Sequence, residues 1–318
     1  MPALPPVLGW GFRATNLVKP MSAAAKEFIQ RNRLPESYLS SAEQWFEPLL
    51  QQFADQYATS QQTQVWGING CQGSGKSTLA DYLCTMVAER HGINTLSLSM
   101  DDFYLTKAQR TVLGETVHPM LATRGVPGTH DVSLMIETIE QLRAGVETRI
   151  TRFDKSIDDR VNGPDTEVSR GPVGLVIVEG WCWGAEAEPE SNLVEAINDL
   201  EKLRDAEGIW RLYVTQALAS KYQQLFAVAD QLIMLQAPSF DAVYHWRLEQ
   251  ENKLLQSLQG TDKAANSGIM NQQQVLEFIQ YFQRITEYAL TEMPARAQHL
   301  YQLGQDRQIK RYIPQLSQ

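Results

Sequence analysis

The run Gly70-Cys71-Gln72-Gly73-Ser74-Gly75-Lys76-Ser77 has the spacing G-x-x-x-x-G-K-[ST] of a loop that cradles phosphates. Its glycines let main-chain N–H groups turn inward around a β-phosphate, and the N-terminus of a following helix adds the positive end of its dipole. Gly70, Cys71, Gln72, Gly73, Ser74, Gly75, Lys76, Ser77 and Thr78 are therefore the expected nucleotide-binding segment. Lys76 would supply a point charge to the β- and γ-phosphates of ATP, and the Ser77 hydroxyl is placed to bind Mg²⁺. A Gly-rich turn with an exposed lysine is the plainer alternative, and the strand-like and helix-like flanks argue against it.

Such a loop leaves the acceptor open, whether water, a protein or a small hydroxyl compound. The pair Asp101-Asp102 follows a second strand-like stretch, at the edge where ligands of open α/β sheets collect. One carboxylate there can take the proton of an attacking hydroxyl, and both can help hold a metal. Solvated carboxylates capping a strand end are the competing interpretation. Glu179 closes the apolar run Leu175 to Val178 and fits an acid that neighbours Mg²⁺ across from the loop. A buried acid at a strand end is costly unless a cation or donors meet it.

The elements that must position these groups follow from periodicity. Apolar residues at three- and four-residue spacing predict helix between Glu27 and Gln56, and polar Thr59 to Gln64 forms a joint. Val65 to Ile68 is a buried strand, and Leu79, Leu83, Met86 and Val87 mark an amphipathic helix. Ile93 to Met100 is a second strand, so strand, helix, strand implies a parallel sheet. Leu105 to His130 is long, turn-rich and irregular, which suggests a functional loop. Val132 to Leu142 is a helix capped around Thr129 to Asp131, and Leu175 to Val178 is a central strand. Acidic Glu186 to Glu207 is expected to be a solvated helical insertion. A helical period then runs from Trp210 to Phe226, Leu232 to Leu235 is a strand, Asp241–Leu258 and Gln272–Leu290 are helices, and a strand near Leu300 to Leu303 closes the sheet. The expected fold is α/β, a doubly wound parallel sheet of the phosphate-loop type. Residues 1–60 form an N-terminal helical extension and 61–318 the kinase-like domain, with acceptor-site loops at about 104–131 and 150–170 and the acidic insertion at about 184–208.

In the 318 residues, 28 Lys and Arg stand against 37 Asp and Glu, a net charge of −9. That balance argues against nucleic acid or an anionic membrane as partner, since those need a positive face to displace counterions. Any bound anion must be met by a local site. Three cysteines without C-x-x-C spacing suggest neither a disulfide framework nor a zinc site, and a reducing compartment fits best. Met1 to Phe12 holds three prolines and no basic leader before an apolar stretch, and no run approaches the ~18 apolar residues of a membrane span, so the chain is expected to be untargeted and cytoplasmic.

Six segments together resemble the D-glycerate 3-kinase family, a branch of the phosphate-loop kinases that includes uridine kinase, pantothenate kinase and phosphoribulokinase. They are Gly67 to Thr78, Asp101-Asp-Phe-Tyr104, Arg124-Gly-Val-Pro-Gly-Thr-His-Asp131, Phe153-Asp-Lys-Ser156, Glu179-Gly-Trp181 and Trp246 to Glu251. The similarity runs from about Phe28 to about Arg307, and the segments Arg124 to Asp131 and Phe153 to Ser156 are much narrower signals than the phosphate loop itself. The resemblance implies ATP- and Mg²⁺-dependent phosphorylation of a small hydroxy acid or similar metabolite. It favours Asp101 over Asp102 as catalytic base, and it places Glu179 near the metal together with Ser77 and Asp101. Asp102 and Tyr104 of the same segment are expected at the acceptor. A carboxylate acceptor needs cations, and Arg124, His130, Lys155 and Arg160 are the candidates, each with a surface ion pair or a helix cap as its plainer role. Arg247 falls where related kinases carry a lid with arginines, which would stabilise the transferred phosphoryl group; an i,i+4 pair on its own helix is the rival. Trp181, Trp183 and Trp246 are assigned to packing. Two other functions compete: a same-fold kinase for a nucleoside, pantothenate-like or sugar acceptor, and a regulatory nucleotide-binding module with slow ATPase activity.

Overall fold

A computed structural model describes residues 21–161, 166–258 and 269–315. The first twenty residues of the extension, Met1 to Phe12 among them, residues 162–165 of the second loop and residues 259–268 lie outside the described residues, as do 316–318. Along the chain come α1 (Ala23–Asn32), α2 (Ser37–Ser60), β1 (Gln64–Gly70), α3 (Lys76–His91), β2 (Thr95–Ser99), α4 (Lys107–Thr116) and α5 (Val132–Arg143). Two small antiparallel pairs follow, β3 (Thr148–Arg149) with β6 (Val168–Ser169) and β4 (Phe153–Asp154) with β5 (Asp159–Arg160). The remainder is β7 (Leu175–Gly180), α6 (Asp199–Arg204), α7 (Ile209–Ala217), α8 (Gln223–Phe226), β8 (Gln231–Gln236), α9 (Phe240–Leu258), α10 (Gln272–Glu292), β9 (His299–Leu303) and β10 (Ile309–Pro314).

The main sheet has the order β10-β9-β8-β1-β7-β2, parallel except for β10 against β9. Every residue of β1 and β7 is buried, which explains why both are short continuous apolar runs rather than alternating ones. Successive side chains go to opposite faces. Val65, Val176, Val178 and Met234 join α5, α7, α8 and α10 on one side, while Trp66, Ile68, Leu175, Ile177, Ile233 and Leu235 join α1, α2, α3 and α9 on the other. Each such side chain contributes roughly 1.5–3 kcal/mol when removed from water. The parallel register sets Ile68 of β1 beside Glu179 of β7, and Glu179 beside Ser99 of β2. The phosphate loop, Glu179 and Asp101 therefore leave the sheet at one edge. Among the described residues no helix is long and apolar enough to cross a membrane, and Cys71, Cys84 and Cys182 are free thiols.

Three stretches depart from the sequence expectation. Leu105 to His130 is not irregular throughout, because it contains α4, opened by a capping box between Thr106 and Gln109. Its buried anchor is Arg110, which donates to the carbonyls of Leu105, Ala122 and Asp158 and is 1% exposed. A helix anchored by an arginine shows no apolar stripe. The acidic stretch Glu186 to Glu207 holds only a 3₁₀ turn and the six-residue α6, and it is not uniformly solvated. Glu201 is fully buried in a two-bond pair with Arg284 of α10, and Asp205 is buried against Arg211 of α7. The period from Trp210 to Phe226 is broken by a π-helical turn, Leu218–Tyr222, between α7 and α8. The sheet also gains β10.

Candidate active site

The first turn of α3 begins at Lys76 with Gly75 as its N-cap, at φ +93°, and no side chain among the described residues caps it. Its leading N–H groups are thus left to an external anion, a helix-terminal site in the making. Gly73 is also left-handed, at φ +80°, and an added Cβ would meet the Cβ of Trp246 at 2.7 Å. Only glycine lets α9 lie this close to the loop. Trp246 is held there by its indole N–H, donated to the Gln305 carbonyl at 2.7 Å. Cys71, inside the loop, is buried, and that burial pushes its thiol up to about 12 despite nearby Lys76, so it is no thiolate nucleophile.

Ser77 Oγ donates to Glu179 Oε1 at 2.8 Å, and Lys76 Nζ stands 3.7 Å from Glu179 Oε2. Burial would lower the Lys76 ammonium, but the carboxylates of Glu179 and Asp101 outweigh it and hold its pKa above the ordinary value. Glu179 is 6% exposed, and its Oε2 has no hydrogen-bond partner among the described residues. A buried carboxylate oxygen met only by the Lys76 ammonium, beyond hydrogen-bond reach, has room for a further partner, and a hard divalent cation is one group that would satisfy it. No cluster of three or more His, Cys, Asp or Glu suited to a metal occurs among the described residues. Mg²⁺ asks for less, since it is commonly held by one or two protein oxygens together with substrate phosphates.

Asp101 sits in a 3₁₀ turn directly after β2. Tyr104 Oη donates to its Oδ1 at 2.7 Å and Lys155 Nζ to its Oδ2 at 2.7 Å. Burial works to raise this carboxyl, but Lys155, then Tyr104, then Lys76 bring it down to about 2. It is an anion at any physiological pH. A cleft of about 250 Å³ joins Gln72, Lys76, Asp101, Tyr104, Thr123, Arg124, Gly125, Lys155, Trp181, Arg247, Phe278 and Phe282. Four cations in a chain of net charge −9 thus face one cavity. Anions are steered by such a local field and not by net charge.

Three expected acceptor residues lie behind the cleft wall. Asp102 accepts from Arg152 Nη1 at 2.8 Å and from the Phe153 N–H at 3.2 Å, so it anchors the β4–β5 hairpin. Arg160 anchors the other end of that hairpin through the Tyr104 carbonyl and Asp131, both at 2.8–2.9 Å. His130 is buried under Tyr104, ring centroids 4.6 Å apart, with Nδ1 2.6 Å from the Tyr222 hydroxyl. Burial lowers its pKa to about 4, partly countered by Asp101, so it is a neutral imidazole. Asp131 caps α5 by accepting the Leu134 N–H. Arg247 combines both of its rival roles: it pairs with Glu251 one turn along α9, and it lines the cleft with its guanidinium over the Phe278 ring.

No motif in the sequence marks Phe278 and Phe282 of α10, which form a wall of the cleft. Trp181, assigned to packing, also lines it, and its indole N–H holds the Gly125 carbonyl at 2.9 Å. Asn69 of β1 ties down that turn through the Trp181 and Trp183 carbonyls.

No family model matches the chain. It is 33% identical over 229 residues to the uncharacterised kinase mug58 of Schizosaccharomyces pombe, covering 69% of this chain and 78% of that protein. It is 30% identical over 208 residues to a chloroplastic D-glycerate 3-kinase of Arabidopsis thaliana, covering 59% of this chain and 41% of that one. In three dimensions it shares the fold of a D-glycerate 3-kinase from Cryptococcus neoformans, with a TM-score of 0.68 and 23% identity over 84% of this chain and 96% of that one.

Proposed function

As a member of the D-glycerate 3-kinase family of phosphate-loop kinases, the chain is an ATP-dependent small-molecule kinase, and we propose that its acceptor is a small hydroxy acid, D-glycerate. The observation that carries this reading is one cleft in which the helix-terminal loop and Lys76 face an ionised Asp101 among further cations. The main-chain amides of residues 73–78 and Lys76 hold the phosphates. Ser77 and Glu179 would hold Mg²⁺, which when bound neutralises phosphate charge and draws electrons from the β–γ bridge. Arg124 and Lys155 meet the acceptor carboxylate, and Arg247 closes on the migrating phosphoryl group.

Transfer forms a bond from the acceptor oxygen to the γ-phosphorus and breaks the bond from that phosphorus to the β–γ bridging oxygen. The hydroxyl proton goes to Asp101. A carboxylate with a pKa of about 2 is a weak base, but the loose transition state of phosphoryl transfer asks mainly for alignment, with proton loss late. Both Asp101 oxygens are already engaged, by Tyr104 and Lys155. Each oxygen keeps a further lone pair, so the incoming hydroxyl can donate to Asp101 while Lys155 spans Asp101 and the acceptor carboxylate. The test is acceptor-dependent ADP production with D-glycerate against a panel of nucleosides, sugars and pantothenate-like alcohols. D-Glycerate should give the highest kcat/KM; efficient turnover of another panel member alone would reassign the acceptor, and no stimulation by any of them would favour a regulatory module.

A further inference from the structure

The β4–β5 hairpin brings Lys155 to the cleft, and its turn contains one residue with an unusual backbone. Asp158 is left-handed, at φ +56°, a conformation that costs most residues energy but that Asp, Asn and Gly tolerate. This turn directs the carboxylate inward, onto two guanidinium groups. Its Oδ1 lies 3.0 Å from Arg110 Nη2 and in hydrogen-bond contact with Arg124 Nη1. Arg110 itself cannot move. It is 1% exposed and fixed by three main-chain carbonyls, one of them that of Asp158 at 2.7 Å. The same two guanidinium groups lie over the Phe153 ring, 5.8 Å and 5.4 Å from its centroid.

We propose that Asp158 is a positioning residue for acceptor binding: seated on immobile Arg110, it fixes Arg124 so that the arginine meets the acceptor's anionic group. The inference rests on the reading of the cleft as the acceptor site. One carboxylate shared by two guanidinium groups leaves this corner with a net positive charge, so Arg124 is oriented without being neutralised. A free arginine would have to lose its rotamer freedom on binding, and prior fixation removes that cost.

Asp158→Asn and Asp158→Gly both keep a residue at ease with the left-handed turn while removing the charge. Steady-state kinetics should show the acceptor KM raised about tenfold in both, with kcat within about threefold of wild type and the ATP KM unmoved; tenfold corresponds to the ~1.4 kcal/mol of a modest charge-assisted contact. Arg124→Ala should raise the acceptor KM further, and adding Asp158→Asn to it should change little more, because the two act as one unit. An acceptor KM that is unchanged or lower in the Asp158 variants overturns the proposal, the latter by showing that Asp158 withholds Arg124. So does a parallel loss of kcat, ATP affinity and melting temperature, which assigns Asp158 to folding alone. A wild-type chain with no acceptor-dependent turnover removes the functional reading and this one together, whereas an active wild type with unmoved variants removes this one alone.

Discussion

Replacing Tyr104 by Phe isolates a single interaction at the Asp101 carboxylate, the proposed base. The ring is packed between His130, stacked at 4.6 Å, and Phe153, edge-on at 5.2 Å, and phenylalanine preserves both contacts. What disappears is the 2.7 Å hydrogen bond from the phenol to Asp101 Oδ1. A hydrogen bond to a charged group contributes about 1.5–3 kcal/mol, and because the Asp101 side chain keeps 36% exposure, solvent screening puts this one near the lower figure. That amount is about tenfold in an equilibrium or a rate. The Asp101 pKa should therefore rise from about 2 towards the ordinary carboxylate value, while the group stays ionised at pH 7. Any loss of rate at pH 7 is then a loss of alignment, not of ionisation. In initial-rate assays of acceptor-dependent ADP release, kcat should fall about tenfold with the ATP KM unchanged. Linkage gives a second readout. Asp101 has a lowered pKa in the folded chain, so its contribution to stability is present above the unfolded value near 3.8 and is lost as pH falls towards about 2. In the Phe variant that contribution shrinks, so the acid-unfolding midpoint moves up. A kcat within twofold of wild type, together with an unmoved acid transition, would show that the Tyr104 hydroxyl does not hold Asp101 in place.

Gly73→Ala sets a methyl group 2.7 Å from the Trp246 Cβ at a positive φ, so the phosphate loop must shift; the ATP dissociation constant should rise at least about tenfold in a fluorescence titration, and near-normal affinity would contradict the loop geometry. His130 and His299, 6% and 3% exposed, are both lowered by burial to about 4 from 6.5. Unfolding lets each bind a proton below pH 6.5, so stability should be full above that value and decline as pH falls to about 4, by up to roughly 3 kcal/mol per histidine. Urea unfolding at pH 7 and pH 5 measures this, and equal free energies at the two values would count against the burial of both rings.

The parts of the site legible in the sequence are those whose chemistry is local. The phosphate loop is a contiguous string whose function lies in its own backbone, and β1, β7 and β8 are apolar runs that only a buried parallel sheet accommodates. Glu179 was readable because it ends such a run, and Asp101 because it follows the alternating strand-like stretch that ends at Met100. Residues that act through distant partners were not. Arg110 gives α4 its anchor through carbonyls up to 48 positions away, so the segment lacks the apolar period that marks a helix. Glu201 looks like a solvated charge until Arg284 of α10, 83 positions later, encloses it. Likewise Asp102, His130 and Arg160 have the right types for an acceptor site, and only the fold shows that they brace the hairpin and Tyr104 from behind. Asp158 carries no signal at all, because its role comes from a left-handed turn between two-residue strands.

Phosphoryl transfer by Asp101→Asn, at saturating ATP and acceptor and pH 7, tests most directly whether this carboxylate readies the attacking hydroxyl. Asparagine keeps the size and one acceptor oxygen but cannot take the proton. With Asp101 as base, kcat should fall by at least about 10²-fold with nucleotide binding intact. A rate within a few-fold of wild type would contradict it and move the base to another group of the cleft.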